Sequence, residues 1–492
     1  MKRLLLTLLP LLVLASCRHA TVPASYSEAD SLPHIYPEYT EVTVPRNMAP
    51  LRFHIEEEGK DFVCNFSTPG STLTLRGSDV CPSIKDWQRL TDGQQEIRVD
   101  IYVRSDEGKW QHLRPFAIHI SPDEIDPYMA YRLIAPSYVA YEDLTICQRN
   151  LTNYDERVVY GNMINSKESE GQCINCHAFQ NYNPDRMQFH VRQGMGGTVI
   201  TCDGTTRKVN LKTDSTISAG VYPAWHPTEK LIAYSTNNTI QLFHTRDIKK
   251  VEVQDTYSNL MLYDVERNEV TPLPRDTNRL DCFPWWSPNG QTLYYCSATY
   301  TPTDSLLPRQ SDMLRHFERL KYNIVARDFD LKNRSFGPEH IIVDAASEGR
   351  SATLPRISPD GTWLLFTMGG HGVFHIWHTD ADLYMMHLPT GETRPLDEVN
   401  SPRVESYHSW SSNGRWIVFS SRRDDGNYTR PYFAHVDADG HMTKPFELPA
   451  QHPLYHRELM RSYNIPEFIN GPVNIGPQEL ARVVRSQAIQ AR

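Results

Sequence analysis

Apolar and polar residues alternate along most of this chain, the period of strands that bury one face. The stretches LRFHIEEEGKDFVCNFSTPGSTLTLRG (51–77) and EIRVDIYVRSDEGKWQHLRPFAIHIS (96–121) alternate in this way, with Gly, Pro, Asp and Ser at the breaks. They predict a β-sandwich-like domain over 38–125. From residue 222 the alternation becomes a repeat. YPAWHPTEKLIAYS, FPWWSPNGQTLYYC, LPRISPDGTWLLFT and YHSWSSNGRWIVFS, starting at 222, 283, 354 and 407, align without a gap. Asn289-Gly290, Asp360-Gly361 and Asn413-Gly414 supply the left-handed residues of tight hairpin turns. A second hairpin follows each copy, as in NLMLYDVERNEVTPL from 259 and ADLYMMHLPTGETRPL from 381.

Two hairpins make a four-stranded unit, and such units repeated along a chain predict the blades of a β-propeller. The repeated Ser-Pro-Asp-Gly hairpins resemble TolB-like, WD-type propeller repeats. That resemblance implies an all-β fold with a propeller of six blades over 196–470, the stretch 196–213 contributing to a further blade. Residues 471–492 form a polar, helical tail.

Between the two β regions, 126–195 is less regular and carries GQCINCHAFQ, with Cys173, Cys176 and His177 spaced Cys-x-x-Cys-His. This is the spacing by which two thiols add to the vinyl groups of haem c and the next histidine takes the iron. A zinc site would need a second ligand pair nearby, and a thioredoxin-like redox pair a βαβ context; neither is present in the sequence. The reading is one covalent haem c on Cys173 and Cys176, with His177 as proximal ligand. His190 ranks first as distal ligand, Met187 second and Met195 third, and Arg192 is a candidate partner for a propionate.

The N-terminus, MKRLLLTLLPLLVLASC, has a basic start and an apolar run too short to span a bilayer. Leu14 to Cys17 resembles a bacterial lipobox, which implies a signal peptide over 1–17, lipid on Cys17, a tether over 18–37, and a periplasmic place on the outer membrane. A formal net charge of −9 excludes a general nucleic-acid field. Of the other cysteines, Cys64 with Cys81 and Cys282 with Cys296 are candidate disulfides suited to an oxidising compartment.

The stretch GGHGVFHIWHTDADL holds His371, His375, His378, Asp380 and Asp382, conceivable as metal ligands but readable equally as braces between strands, as are His226 and His408. Arg422, Arg423, Asp424, Asp425 and Arg430 read as a network closing a loop, or as a site for an acidic ligand. There is no Gly-x-Ser-x-Gly, His-Glu-x-x-His or phosphate loop, so no catalytic residue is assigned. The arrangement of the haem motif upstream of the repeats resembles TolB-like lipoproteins of Bacteroidetes type. The expected function is therefore electron exchange between the haem and a redox or envelope partner, with the propeller as docking platform. The alternatives are a haem-free TolB-like scaffold, or an oxidoreductase combining haem and propeller.

Overall fold

A computed structural model describes residues 20–492 apart from 136–142, 166–171, 245, 247–250 and 275. The lipobox cysteine Cys17 therefore lies outside the described residues. Among the described residues, no helix is long and apolar enough to cross a membrane.

The molecule is mostly β. Its N-terminal part is a seven-stranded sheet in which Glu96–Arg104 pairs with Asp61–Thr68, Trp110–His112 and Phe116–Ser121. A small sheet of Ile35–Tyr36, Phe53–Ile55 and Asp79–Val80 and the helix Ile84–Thr91 cover one face. The helix starts where the Ser83 hydroxyl accepts the Asp86 N–H at 3.1 Å, and it buries Trp87 against Phe66. The expected β-sandwich is thus one large sheet, capped by a fragment and a helix.

Beyond residue 121 every strand pairs with a near neighbour in the chain, with one main exception. Ser462–Ile469, close to the C-terminus, lies antiparallel to Tyr128–Ile134 and completes the sheet formed with Thr145–Asn150 and Glu156–Gly161. Gln172–Gln180, Asn183–Gln193, Gly197–Cys202 and Thr205–Asn210 form the next sheet, to which the short Ile489–Gln490 adds. An eight-stranded sheet spans Val221–Trp225 to Ser335–Val343, and two four-stranded sheets follow, from Ser351–Ile357 and from Glu405–Trp410. The repeated hairpins are all formed, each turn lying between its two strands. Gly290 (φ 70°) shows why one turn needs glycine: a Cβ there would fall 2.2 Å from the His226 imidazole.

The TolB-like six-bladed propeller is corrected by this pairing. Among the described residues the strands fall into seven distinct sheets of three to eight strands, and none closes on itself into a propeller or barrel. The units beginning at Val221 and Arg279 are joined by the Ser258–Leu280 pairing, and the sheet closed by the C-terminal strand lies outside the repeat seen in the sequence. The hairpin pattern specifies local pairing, a short-range property. It does not specify how successive units join.

The N-terminal sheet is not separate from the rest. Phe53, Phe66 and Ile97 share one apolar core with Trp416, Phe433, Phe446 and Phe468. The Trp416 indole donates to the Asp123 carbonyl at 3.1 Å, and the Asp126 carboxylate accepts the Ser412 N–H at 2.7 Å. Phe468 is fully buried, 6.0 Å from Phe433. We expect Phe468→Ala to cost about 3–5 kcal/mol of stability, measured as a lowered urea midpoint for the whole molecule. If only the C-terminal strand loosened while the midpoint held, the shared core would not be the main source of stability.

Candidate functional site

Six strands, 172–180, 221–225, 279–286, 351–357, 405–410 and 462–469, pack around a common interior. Each carries one non-glycine residue in the left-handed region: Cys176, Tyr222, Phe283, Leu354, Tyr407 and Ile465, with φ between 45° and 57°. At each of these places the strand register slips by a bulge. A left-handed β-branched residue such as Ile465 is rare and costs energy, and bulges of this kind re-aim side chains. Here all six, with the residue that follows in every strand but that of Leu354, line one recess of about 50 Å³.

Cys176-His177 therefore occupies the position that Tyr222-Pro223, Phe283-Pro284, Leu354-Pro355, Tyr407-His408 and Ile465-Pro466 occupy in the other strands. His177 is buried, and neither ring nitrogen makes a hydrogen bond of good geometry, although the Ile465 backbone lies close enough to bias its charge. Burial, helped by the Arg132 charge, holds its pKa at about 3, so it is neutral. His408 is likewise neutral, lowered by burial to about 3, with Nε2 facing the Leu365 carbonyl at 3.1 Å.

Cys176, Tyr222, Tyr407 and Ile465 also line a cavity of about 710 Å³. The Cys173 and Cys176 side chains both line it, as do Asn175, His190 and Arg192. His190 is buried and neutral, its pKa lowered to about 3 by burial, with Nδ1 3.2 Å from the Thr198 hydroxyl. Arg192 is exposed at the mouth. Arg132 reaches in from the first strand of its sheet, donating to the Ile174 carbonyl at 3.3 Å and to Asn464 Oδ1 at 3.1 Å. Arg422 lies over the Trp377 ring, 3.4 Å from its centroid, and donates through Nε to the Ile376 carbonyl. Burial lowers Arg422 to about 9, which leaves it charged at neutral pH. Val251, Val253, Phe374 and Ile376 make the opposite wall apolar. Among the described residues no Asp or Glu lines this cavity, and none of the three guanidinium groups is in an ion pair.

The other residues singled out in the sequence fall elsewhere. Met187 and Met195 belong to an apolar core with Phe189 and Leu480, away from the cavity. Cys64 is buried opposite Leu75 and Ile101 while Cys81 is exposed; Cys282 lies directly opposite Cys296. All eight described cysteines are free thiols. His226 is a brace, with Nε2 3.1 Å from the Gly290 carbonyl and Nδ1 accepting the Glu229 N–H. Arg423 pairs with Glu405, Arg430 donates to backbone carbonyls, and Asp425 accepts the Asn427 and Tyr428 N–H groups, so this network closes a loop and only Arg422 reaches the cavity.

The electron-transfer reading is corrected on this geometry. Cys173 lines the large cavity and Cys176 lines both spaces, whereas His177 lines the recess, which has room for about one or two waters and none for a macrocycle. His177 is thus not placed as proximal ligand to a group held in the cavity, and the regular propeller that was to serve as docking platform is not formed. Among the described residues, the groupings able to hold a metal ion lie outside the motif.

No family model matches the chain, and no curated protein matches it. Among solved structures, a hypothetical selenium-binding protein from Sulfolobus tokodaii is 9% identical over 84% of this chain and 94% of its own, with a TM-score of 0.43. An oligogalacturonate lyase from Vibrio parahaemolyticus is 12% identical over 78% and 100%, with a TM-score of 0.34. The tricorn protease is 11% identical with a TM-score of 0.31, and this chain spans about a third of it (34%). These weak and mutually unlike matches give the TolB-like resemblance no support and carry no argument about function.

Buried ionisable groups set a pH profile. His177, His190 and His408 each drop from 6.5 to about 3 on folding, so the unfolded chain binds their protons first, and stability falls as pH drops from 6.5 toward 3. Asp255 and Glu467 are raised by burial, from 3.8 to about 7 and from 4.5 to about 8. Their contribution is complete below the unfolded values and is lost as pH rises through 7 to 8. Stability measured by urea titration should therefore peak in mildly acid solution. Glu467→Gln, which keeps the acceptor for the Phe179 N–H, should flatten the alkaline limb; an unchanged limb would place Glu467 in contact with water.

Proposed function

We propose that this is a binding protein of the cell envelope whose 710 Å³ cavity holds an anionic, partly apolar small molecule. One observation carries the reading: three guanidinium groups face a cavity that no acidic residue lines among the described residues, in a chain of net charge −9. Arg132, Arg192 and Arg422 suit carboxylate or phosphate oxygens, and the wall of Val251, Val253, Phe374 and Trp377 suits an apolar body. The volume is that of a site for a molecule of cofactor size. Haem c is proposed as one occupant of this class, attached through Cys173 and Cys176 with its carboxylates toward the arginines; the attachment uses the cavity thiols and not His177. Placement at the periplasmic face of the outer membrane, through lipid on Cys17, and contact with an envelope protein belong to the same proposal.

Native mass spectrometry and a pyridine haemochrome spectrum of the mature chain, made with haem-ligation machinery present, would identify an occupant. Anilinonaphthalene sulfonate serves as an anionic apolar probe for the unoccupied chain. We expect one probe per chain, with affinity reduced roughly tenfold or more in Arg192→Gln, the loss of one charge-assisted hydrogen bond. Arg267→Gln, on an exposed turn away from the cavity, should bind as wild type. Probe binding without fixed stoichiometry, or indifferent to Arg192→Gln, would overturn the proposal.

A further inference from the structure

Behind the apolar wall of the cavity lies a second cluster. In the strand Val251–Asp264, Val251 and Val253 face the cavity, so Glu252 and Gln254 point the other way. There Glu252 Oε2 lies 2.8 Å from His378 Nε2 and 3.4 Å from His371 Nε2. We propose that Glu252, His371 and His378 form a buried site for a divalent transition metal of the zinc class.

Three features support this. The ligand atoms, one from each residue, lie within 4.8 Å of one another, close enough to converge on one ion. All three side chains are buried, Glu252 at 1% and His378 at 0% relative exposure, so a carboxylate and two imidazoles share a space from which water is excluded. A divalent ion there satisfies the carboxylate charge and both imidazole lone pairs at once, which the two His–Glu contacts alone do not. Two histidines and one carboxylate are a donor set that zinc and its neighbours accept. The loop backbone closes tightly over the cluster at Gly372 (φ 69°), where a Cβ would meet Glu252 Oε1 and Gln254 Nε2 at 3.4 Å. Gln254 Nε2 in turn donates to Glu252 Oε1 and fixes the carboxylate plane.

The other grouping, Asp437, Asp439 and His441, carries no such proposal. It is exposed, and Asp437 Oδ1 is already engaged by the Asp439 and His441 N–H groups. The buried site joins the loop 370–378 to the strand 251–264. That loop also supplies Phe374, Ile376 and Trp377 to the cavity wall. The ion is thus a clamp that holds one wall of the cavity, and its binding stands independently of what the cavity takes.

The test uses the untagged mature chain after dialysis against a chelator, titrated with Zn²⁺ by calorimetry and with Co²⁺ by absorption. We expect one equivalent bound, Co²⁺ ligand-field bands without a thiolate charge-transfer band, and a raised unfolding temperature. His378→Ala and the milder His371→Gln and Glu252→Gln should each weaken binding by roughly a hundredfold or more. Asp437→Asn with His441→Ala should leave it unchanged. If His378→Ala fails to fold by circular dichroism, the two milder variants decide. A folded wild-type chain that takes up no stoichiometric metal overturns the proposal. So does a thiolate band, which assigns the ion to Cys173 and Cys176, or affinity unaltered in the folded variants.

Discussion

The antiparallel pairing of Ser462–Ile469 with Tyr128–Ile134 is the contact on which the interior depends. It ties residues more than three hundred apart, and it sets two walls of the cavity together. Asn464 stands opposite Arg132, whose guanidinium donates to Asn464 Oδ1 and to the Ile174 carbonyl of the strand bearing Cys173 and Cys176. The same strand end is held on its other flank, where Tyr463 N–H donates to the Thr429 carbonyl at 3.0 Å and Thr429 N–H to the Ser462 hydroxyl at 3.1 Å. Each such hydrogen bond is worth about 1 kcal/mol net, but leaving its partner unsatisfied in the interior costs more. Without this pairing, Arg132 would lose one of its two acceptors, and the apolar groups of Phe468 and Ile469 would be uncovered.

How much of this was legible in the sequence follows from the range of each interaction. The hairpins from 222 onward were legible residue by residue, because turn glycines and alternating strands are local. Their joining was not, since the Ser258–Leu280 contact and the C-terminal strand depend on tertiary packing that no repeat unit encodes. The shared left-handed bulge was legible only in part. Four copies announce it as an aromatic or leucine before Pro or His, yet Cys176-His177 and Ile465-Pro466 hold the same position inside stretches that do not align. Seen this way, the histidine of the Cys-x-x-Cys-His motif stands where most of the other strands place proline, and its direction is set by the bulge it shares with them. The motif drew attention to the correct strand, but spacing alone could not show that Cys173 and His177 line different spaces. Glu252 was invisible for a related reason: it lies more than a hundred residues before the histidines it meets.

The charge inside the molecule follows from the same packing. Asp255, which accepts from Asn237 at the cavity edge at 2.6 Å, and Glu467, in the recess, are buried acids, and burial raises them to about 7 and about 8. The cationic side chains survive burial because Arg422 starts so high that lowering it to about 9 still leaves it ionised. Below pH 7, with both acids mainly protonated, the cavity field is that of its guanidinium groups. As pH climbs through 7 and 8, Asp255 and Glu467 ionise, and an anion in the cavity loses attraction just as the fold loses stability. Stability and the charge of the interior thus depend on the same two carboxyl groups.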